Sequence, residues 1–354
     1  MTGFSQSIVS WVIYIPPLSR DVTCMLRTMK WVEEMQSGTN RVPTSESDLS
    51  VVIVGAGVVG VATGRGLAAV GTNVAFYDTS AQRTVELRAN GLNVWDEDDL
   101  RGRECDAYLI SVPTPTRNGR IDLSAVQAAA ELVGVALANA PRWSCVVVRS
   151  TVPPGTTEEV VLPLLEKYSG KKAGRDFGLA MNPEFLRAVS AEEDFVNPRV
   201  IVFGVIDRPS SEFMRRLYLP WSHVTTKSVT LREAEATKYV ANVFNAAKIS
   251  FFNEMHSVLE KMGIESMTPF LIAAMGAEGL WNPVYGTKGG NPFGGECLPK
   301  DTAAFATVVR DLGVDAPMLE ATIATNVRLF GIDFLGPFES DHRPCDDGSL
   351  GGSE

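Results

Sequence analysis

The run "VVIVGAGVVG" (Val51–Gly60) is the stretch that most narrows what this chain can fold into. A β-branched apolar segment leads directly into Gly55, Gly57 and Gly60, and helix-compatible residues continue to Ala69. A strand, a tight turn and a helix are the expected outcome. The G-x-G-x-x-G spacing gives each glycine a task. Gly55 makes the turn, Gly57 lets backbone approach a pyrophosphate, and Gly60 allows close packing of helix on strand. The helix start, with Val58 and Val59, would then face the phosphates. Asp78 ends the next strand-like run, eighteen residues beyond Gly60. A carboxylate there can accept hydrogen bonds from an adenosine ribose and would repel a 2′-phosphate, which favours NAD over NADP. From the turn alone, a glycine-rich turn without a ligand and an FAD site remain alternatives.

From Leu49 the pattern of strand, turn and helix repeats, with apolar runs at "SVVIVG", "NVAFYD", "DAYLISVP", "SCVVVRS", "FGLAMNP" and "RVIVFG". The expected fold is α/β: a Rossmann-like, doubly wound parallel sheet over residues 49–207 with helices on both faces. Strands are expected to stop near Asp207. Helical spacing dominates Leu231–Met262, and further helices are expected at Thr302–Asp311 and in "VDAPMLEATIATNVRLF", giving an all-α central domain over 208–330. Residues 1–48 show no clear period and end in the linker-like "SGTNRVPTSESD". They are expected to be poorly structured and dispensable, with Met25, Met29 and Met35 as later candidate starts. The stretch 331–354, rich in Gly, Ser and Asp, is expected to be a disordered tail.

Composition limits the ligands. The 354 residues are 45% hydrophobic and 21% charged, enough for two ordinary cores. A formal net charge of -10 and a pI near 5.0 argue against nucleic acid and anionic membrane surfaces as partners. An anionic ligand must be held by a few local cations and backbone amides. The five cysteines are scattered without C-x-x-C spacing and the three histidines lie far apart, so neither a disulfide scaffold nor a metal site is expected. "IVSWVIYIPP" (Ile8–Pro17) is too short to span a bilayer and lacks a preceding basic stretch, so a cytoplasmic location is expected.

Reactive groups gather at strand ends and on one helix. "SVPTP" (Ser111–Pro115), with Val112, Pro113 and Thr114, is either a plain turn or a stiff loop over the cofactor. Thr151 in "STVPPG" offers a hydroxyl or a helix cap, and Glu184 in "NPEFL" a general base or a loop ion pair. Lys238 and Asn242, four apart on a helix, can stabilise an oxyanion; alternatively Lys238 is a solvated cation paired with Glu235. In "FGGECLPKD", Cys297 is equally a small apolar residue or a nucleophile. Gly294 and Gly295 let backbone amides approach a ligand, Lys300 and a nearby helix start favour the reactive anionic form, and Asp301 can serve as base or cap.

Taken in order, "GAGVVG", "SVPTP", "STVPPGT", "NPEFLR…AEEDFVNPRVIVFG", "EATKYVAN…FFNEM" and "FGGECLPKDT" resemble the UDP-glucose/GDP-mannose dehydrogenase family over about 280 residues. The resemblance implies NAD-dependent, four-electron oxidation of a nucleotide sugar's primary alcohol to a carboxylate. It implies Lys238 and Asn242 as oxyanion stabilisers, Asp301 as the organiser of a proton-accepting water, and Cys297 as the nucleophile carrying a thiohemiacetal and then a thioester. Glu184 and Thr151 would position the hydrolytic water, and the helical middle would form a homodimer. Family members continue into a second α/β domain that helps bind the nucleotide, whereas this chain stops at Glu354. A truncated chain, a domain supplied by a partner and a naturally short enzyme all fit that difference. Two rival functions stay open: a two-electron or epimerase-like enzyme on a smaller nucleoside or sugar-phosphate alcohol, and a non-catalytic NAD-binding protein.

Overall fold

The computed structural model describes residues 49–330, apart from Glu296. The expectations for 1–48 and 331–354, including Cys24 and Cys345, lie outside the described residues. Contacts divide the chain into two units, between Tyr239 and Val240.

The first unit opens with β1 (Ser50–Val54), α1 (Val58–Ala69), β2 (Asn73–Tyr77), α2 (Ala81–Ala89), α3 (Glu97–Gly102) and β3 (Ala107–Ile110). A two-stranded excursion, β4 (Thr116–Arg117) and β5 (Arg120–Ile121), precedes α4 (Ser124–Asn139) and β6 (Cys145–Val148). A π-helical turn at Thr157–Val161 leads into α5 (Leu162–Ser169), then β7 (Gly178–Met181), α6 (Ala191–Val196), β8 (Ile201–Val205), α7 (Arg208–Leu217) and β9 (Thr226–Val229). The strands form one seven-stranded sheet in the order β2-β1-β3-β6-β7-β8-β9.

The alternation within each strand builds two cores. Val52, Val54, Tyr108, Ile110, Val146 and Val148 face Val126, Val133 and Leu137 of α4 and Leu165 of α5. Val51, Ile53, Leu109 and Val147 face Leu67 of α1, Phe195 of α6 and Phe213 of α7. The period of two along each strand therefore sorts residues to opposite layers, and both layers are dry because helices cover each face.

Two expectations about the sheet are corrected. It is not wholly parallel: β7 and β8 pair antiparallel, with Ala180 opposite Val205 and Met181 opposite Gly204, so β8 and β9 run against the rest. Nor do strands stop at Asp207, since β9 pairs with β8 from Ile201↔Thr226 to Gly204↔Val229. β9 reads "TKSV", a short and partly exposed edge strand with no apolar run to announce it. Residues 208–239 cluster with the sheet.

The long helix appears as α8 (Leu231–Lys261), one residue shorter than expected, and it crosses the division between the units. Beyond it the second unit holds α9 (Met267–Gly276), α10 (Glu278–Trp281), α11 (Cys297–Asp311) and α12 (Pro317–Phe330). The helix expected from Thr302 thus begins five residues earlier, at Cys297. A small core of Val258, Val309 and Ala316, with Met255, Phe305, Val314 and Leu319 around it, holds the second unit together. No described helix is long and apolar enough to cross a membrane.

Candidate functional site

The three glycines differ in what surrounds them. Gly55 has φ +99, and a Cβ there would sit 2.5 Å from the Ser111 carbonyl oxygen. A Cβ on Gly60 would sit 2.1 Å from the Gly55 carbonyl oxygen. At Gly57 nothing lies within 4 Å, so its open side is free to receive a ligand. Gly57 also caps α1 without any side-chain hydrogen bond. The unpaired N–H groups of the first turn and the helix dipole together favour an anion there.

A cavity of about 1020 Å³ opens along the carboxyl edge of the parallel strands. Gly55, Gly57, Val58, Val59, Asp78, Val112, Pro113, Thr114, Thr151 and Glu184 all line it, while Gly60 sits in the packing beneath. This size suits a dinucleotide. Each Asp78 oxygen accepts one backbone hydrogen bond, Oδ2 from Ala56 N at 2.8 Å and Oδ1 from Ser80 N at 2.8 Å. Remaining lone pairs on both oxygens suit ribose hydroxyls. The residues present therefore fit NAD.

The acidic chain supplies its local cations here. Arg83, Arg101 and Arg149 line the cavity, and the Arg83 Nε donates to the Ala56 carbonyl at 2.7 Å. Arg149 is 3% exposed. Its nitrogens donate to Thr63 Oγ1 (2.7 Å), Asn182 Oδ1 (2.6 Å) and Tyr218 Oη (3.2 Å), and its guanidinium lies 5.4 Å from the Phe195 ring centroid. Among the described residues no carboxylate pairs with it. Sequence reasoning missed Arg83 and Arg149, because nothing local marks an arginine whose partners are scattered along the chain.

The loops after β3 and β6 are stitched together. Thr114 Oγ1 donates to the Thr151 carbonyl at 2.8 Å, and Ser150 Oγ to the Val112 carbonyl at 2.7 Å. "SVPTP" is thus a braced wall of the cavity rather than a free turn.

Glu184 and Lys238 meet in the first unit. Lys238 Nζ lies 2.8 Å from Glu184 Oε1, with the side chains 8% and 10% exposed. Leu186 N donates to the other carboxylate oxygen at 2.5 Å, and Lys238 Nζ stands 5.8 Å from the Phe185 ring centroid. Lys238 is therefore not a solvated cation, and Glu235 is not its partner. Glu235 is fully buried and accepts from Gly155 N (2.5 Å), Thr157 N (2.7 Å) and Thr157 Oγ1 (2.6 Å). It pins the start of α8 to the loop after β6, less than one turn before Lys238. The i, i+3 spacing of Glu235 and Lys238 suggested a pair because it cannot show donors some eighty positions away.

Asn242, Cys297 and Asp301 belong to the second unit. Asn242 is exposed on α8, four residues beyond Lys238. Cys297 is exposed, is bridged to no other cysteine among the described residues, and is the first residue of α11. Burial pushes the Cys105 thiol up to about 12 and the Cys145 thiol upward as well, which keeps both protonated and inert. Asp301 Oδ1 pairs with the neighbouring Lys300 Nζ at 2.6 Å, and both side chains are exposed.

Comparison with known proteins also gives two parts, the second beginning a few residues before the division between the units. Residues 90–222 match the NAD binding domain of the UDP-glucose/GDP-mannose dehydrogenase family, and residues 232–328 match its central domain. GDP-mannose 6-dehydrogenase of Pseudomonas syringae pv. tomato is 33% identical over 301 residues, covering 78% of this chain and 68% of that protein. The chain belongs to the UDP-glucose/GDP-mannose dehydrogenase family. A second family member, GDP-mannose 6-dehydrogenase of Pseudomonas putida, is 36% identical over 225 residues, and the match spans only 51% of its length. The crystal structure of a ternary complex of GDP-mannose dehydrogenase from Pseudomonas aeruginosa superposes with a TM-score of 0.73 at 31% identity, covering 79% of this chain and 69% of that one. The NAD-binding match begins at residue 90, so the glycine turn at 55–60 rests on its own geometry.

Proposed function

We propose that this chain carries out the NAD-dependent, four-electron oxidation of a nucleotide sugar's primary alcohol to the carboxylate. The nucleotide sugar is of the UDP-glucose or GDP-mannose type. The observation that carries this reading is the buried Lys238–Glu184 pair, with Glu184 on the wall of a cavity built for a dinucleotide. A buried ammonium next to a cofactor cavity costs desolvation energy that a structural ion pair alone rarely recovers, and oxyanion chemistry gives it a use.

Gly55, Gly57, Val58, Val59, Asp78 and the Val112–Thr114 wall would hold the cofactor. NAD, when bound, supplies a two-electron hydride acceptor, used twice per substrate. The Lys238 ammonium stabilises the negative charge on the substrate oxygen as its proton leaves, and Asp301 organises the water that takes that proton. Loss of hydride and proton leaves an aldehyde. The Cys297 Sγ then bonds to the aldehyde carbon, and its S–H proton passes to water. Lys238 and Asn242 hold the resulting oxyanion. Loss of the second hydride converts this thiohemiacetal into a Cys297 thioester. Water positioned by Glu184 and Thr151 adds to the thioester carbonyl, the C–S bond breaks, and the carboxylic acid and the free thiol are released.

The second unit exposes Val240, Val243, Phe244 and Ile249 along α8, together with Leu271, Ile272 and Met275 on α9. A surface this apolar supports a homodimer. A nucleophilic Cys297 has to stay a thiol, which a reducing compartment maintains, and this supports a cytoplasmic site of action. The test is stoichiometry. Incubation with UDP-glucose and with GDP-mannose should give two NADH per sugar oxidised, and Cys297→Ser should end the second oxidation. A ratio of one with the unaltered chain would refute the four-electron reading and point to a two-electron dehydrogenase.

A further inference from the structure

The connection from α10 to α11 is unusually free by composition. Between Asn282 and Glu296 it carries Gly286, Gly289, Gly290, Gly294 and Gly295, and three of these have positive φ: Gly286 at 71, Gly290 at 79 and Gly295 at 79. Glycine-rich backbone loses the most entropy on ordering, so the first residue of the helix that follows is held by that helix on one side only unless something also holds the connection. Cys297 stands at that end.

Asn326, on α12, supplies a hold. Its Oδ1 accepts from Phe293 N at 2.7 Å and its Nδ2 donates to the Phe293 carbonyl at 2.9 Å. One side-chain amide thus occupies both backbone groups of a single residue, as a neighbouring strand would, across 33 positions of sequence. Asn326 is 3% exposed, and a buried amide is costly unless it is satisfied. The cost of releasing it keeps both hydrogen bonds closed. Phe293 lies four residues before Cys297, so the clamp ties the last stretch before α11 to α12.

We propose that Asn326 is a positioning residue for Cys297: by clamping Phe293 it fixes the segment that delivers the thiol to the aldehyde. The inference rests on Cys297 being the nucleophile. Thiol addition depends on near-attack geometry, and a displacement of about 1 Å can slow such a step on the order of 100-fold. The first oxidation, from alcohol to aldehyde, forms no bond to sulfur. Loss of the clamp should therefore split the two oxidations, leaving the first and slowing the second.

The experiment uses the full chain, with Asn326→Ala, Asn326→Asp and Cys297→Ser beside the unaltered protein. Asn326→Asp keeps the acceptor and removes the donor, so it remains informative if Asn326→Ala fails to fold. Single-turnover reactions with UDP-glucose and GDP-mannose, with hydroxylamine to trap free aldehyde, read the ratio of NADH to sugar. Hydrogen exchange across residues 293–298 reads the segment directly, without substrate. The expected result is a ratio falling from two toward one with trapped aldehyde, unchanged NAD affinity and faster exchange at 293–298. Both oxidations slowing in parallel with a loss of thermal stability would mean a merely structural role and overturn the inference. So would unchanged exchange, whether or not the chain oxidises nucleotide sugars. If Cys297→Ser itself completes two oxidations, the nucleophile assignment falls first and takes the positioning role with it.

Discussion

At Gly57 an added methyl group meets nothing within 4 Å, whereas at Gly60 it runs into the Gly55 carbonyl at 2.1 Å. The two positions therefore separate cofactor binding from folding. Gly57→Ala, at the N-cap of α1, should lower the melting temperature far less than Gly60→Ala and weaken NAD binding about tenfold, about 1.4 kcal/mol, as read by fluorescence titration. Gly60→Ala should cost about 2 kcal/mol of stability through overpacking, read by denaturant unfolding. On the proposed role, in which the ammonium acts on substrate charge rather than on the cofactor, Lys238→Met should lower kcat on the order of 10²- to 10³-fold with NAD affinity retained. The glycine turn was legible in sequence because its requirements are local, a tight turn and a helix start, whereas spacing offered Lys238 the wrong partner, Glu235 in place of Glu184. Glu235, Arg149 and Asn326 were not legible, because each acts on backbone or side chains 33 to 86 positions away.

Among the elements, strands with continuous apolar runs were readable and the polar edge strand β9 was not. The reversal at β8 was also invisible, since strand direction leaves no mark in side-chain periodicity. The excursion between β7 and β8 carries its own lock. Asp194 accepts from Arg187 N at 2.7 Å and pairs with the Arg187 guanidinium at 2.6 Å. The hydrogen bond from Arg187 leads the causes that lower the Asp194 carboxyl to about 2. A carboxyl depressed in the folded state adds stability above its unfolded value, near 3.9, and that stability fades as pH falls toward 2. Asp194→Asn should therefore cost about 1 kcal/mol at pH 7, kept small by solvent around Arg187, and the gap from the unaltered protein should close between about pH 4 and pH 2 in thermal melts.

At the scale of the molecule, the exposed residues of α8 and α9 predict the assembly. Light scattering should give twice the chain mass of 38.3 kDa, and pairing Phe244→Glu with Ile249→Asp should halve it while each chain stays folded. The reversed strand has another consequence. Because β8 returns beside β7, the stretch from Asn182 to Val200 leaves and re-enters the sheet at one edge, and Asn182 Nδ2 closes its neck on the Val202 carbonyl at 2.7 Å. Part of what lies between those two points belongs to the core: Phe195 of α6 packs with Val51 and Ile53, and Trp221 Nε1 donates to the Val196 carbonyl at 2.8 Å. Evolution, or a protein engineer, can vary the remaining positions of that excursion as a cassette and alter what faces the cofactor, so long as Phe195 and Glu184 stay in place.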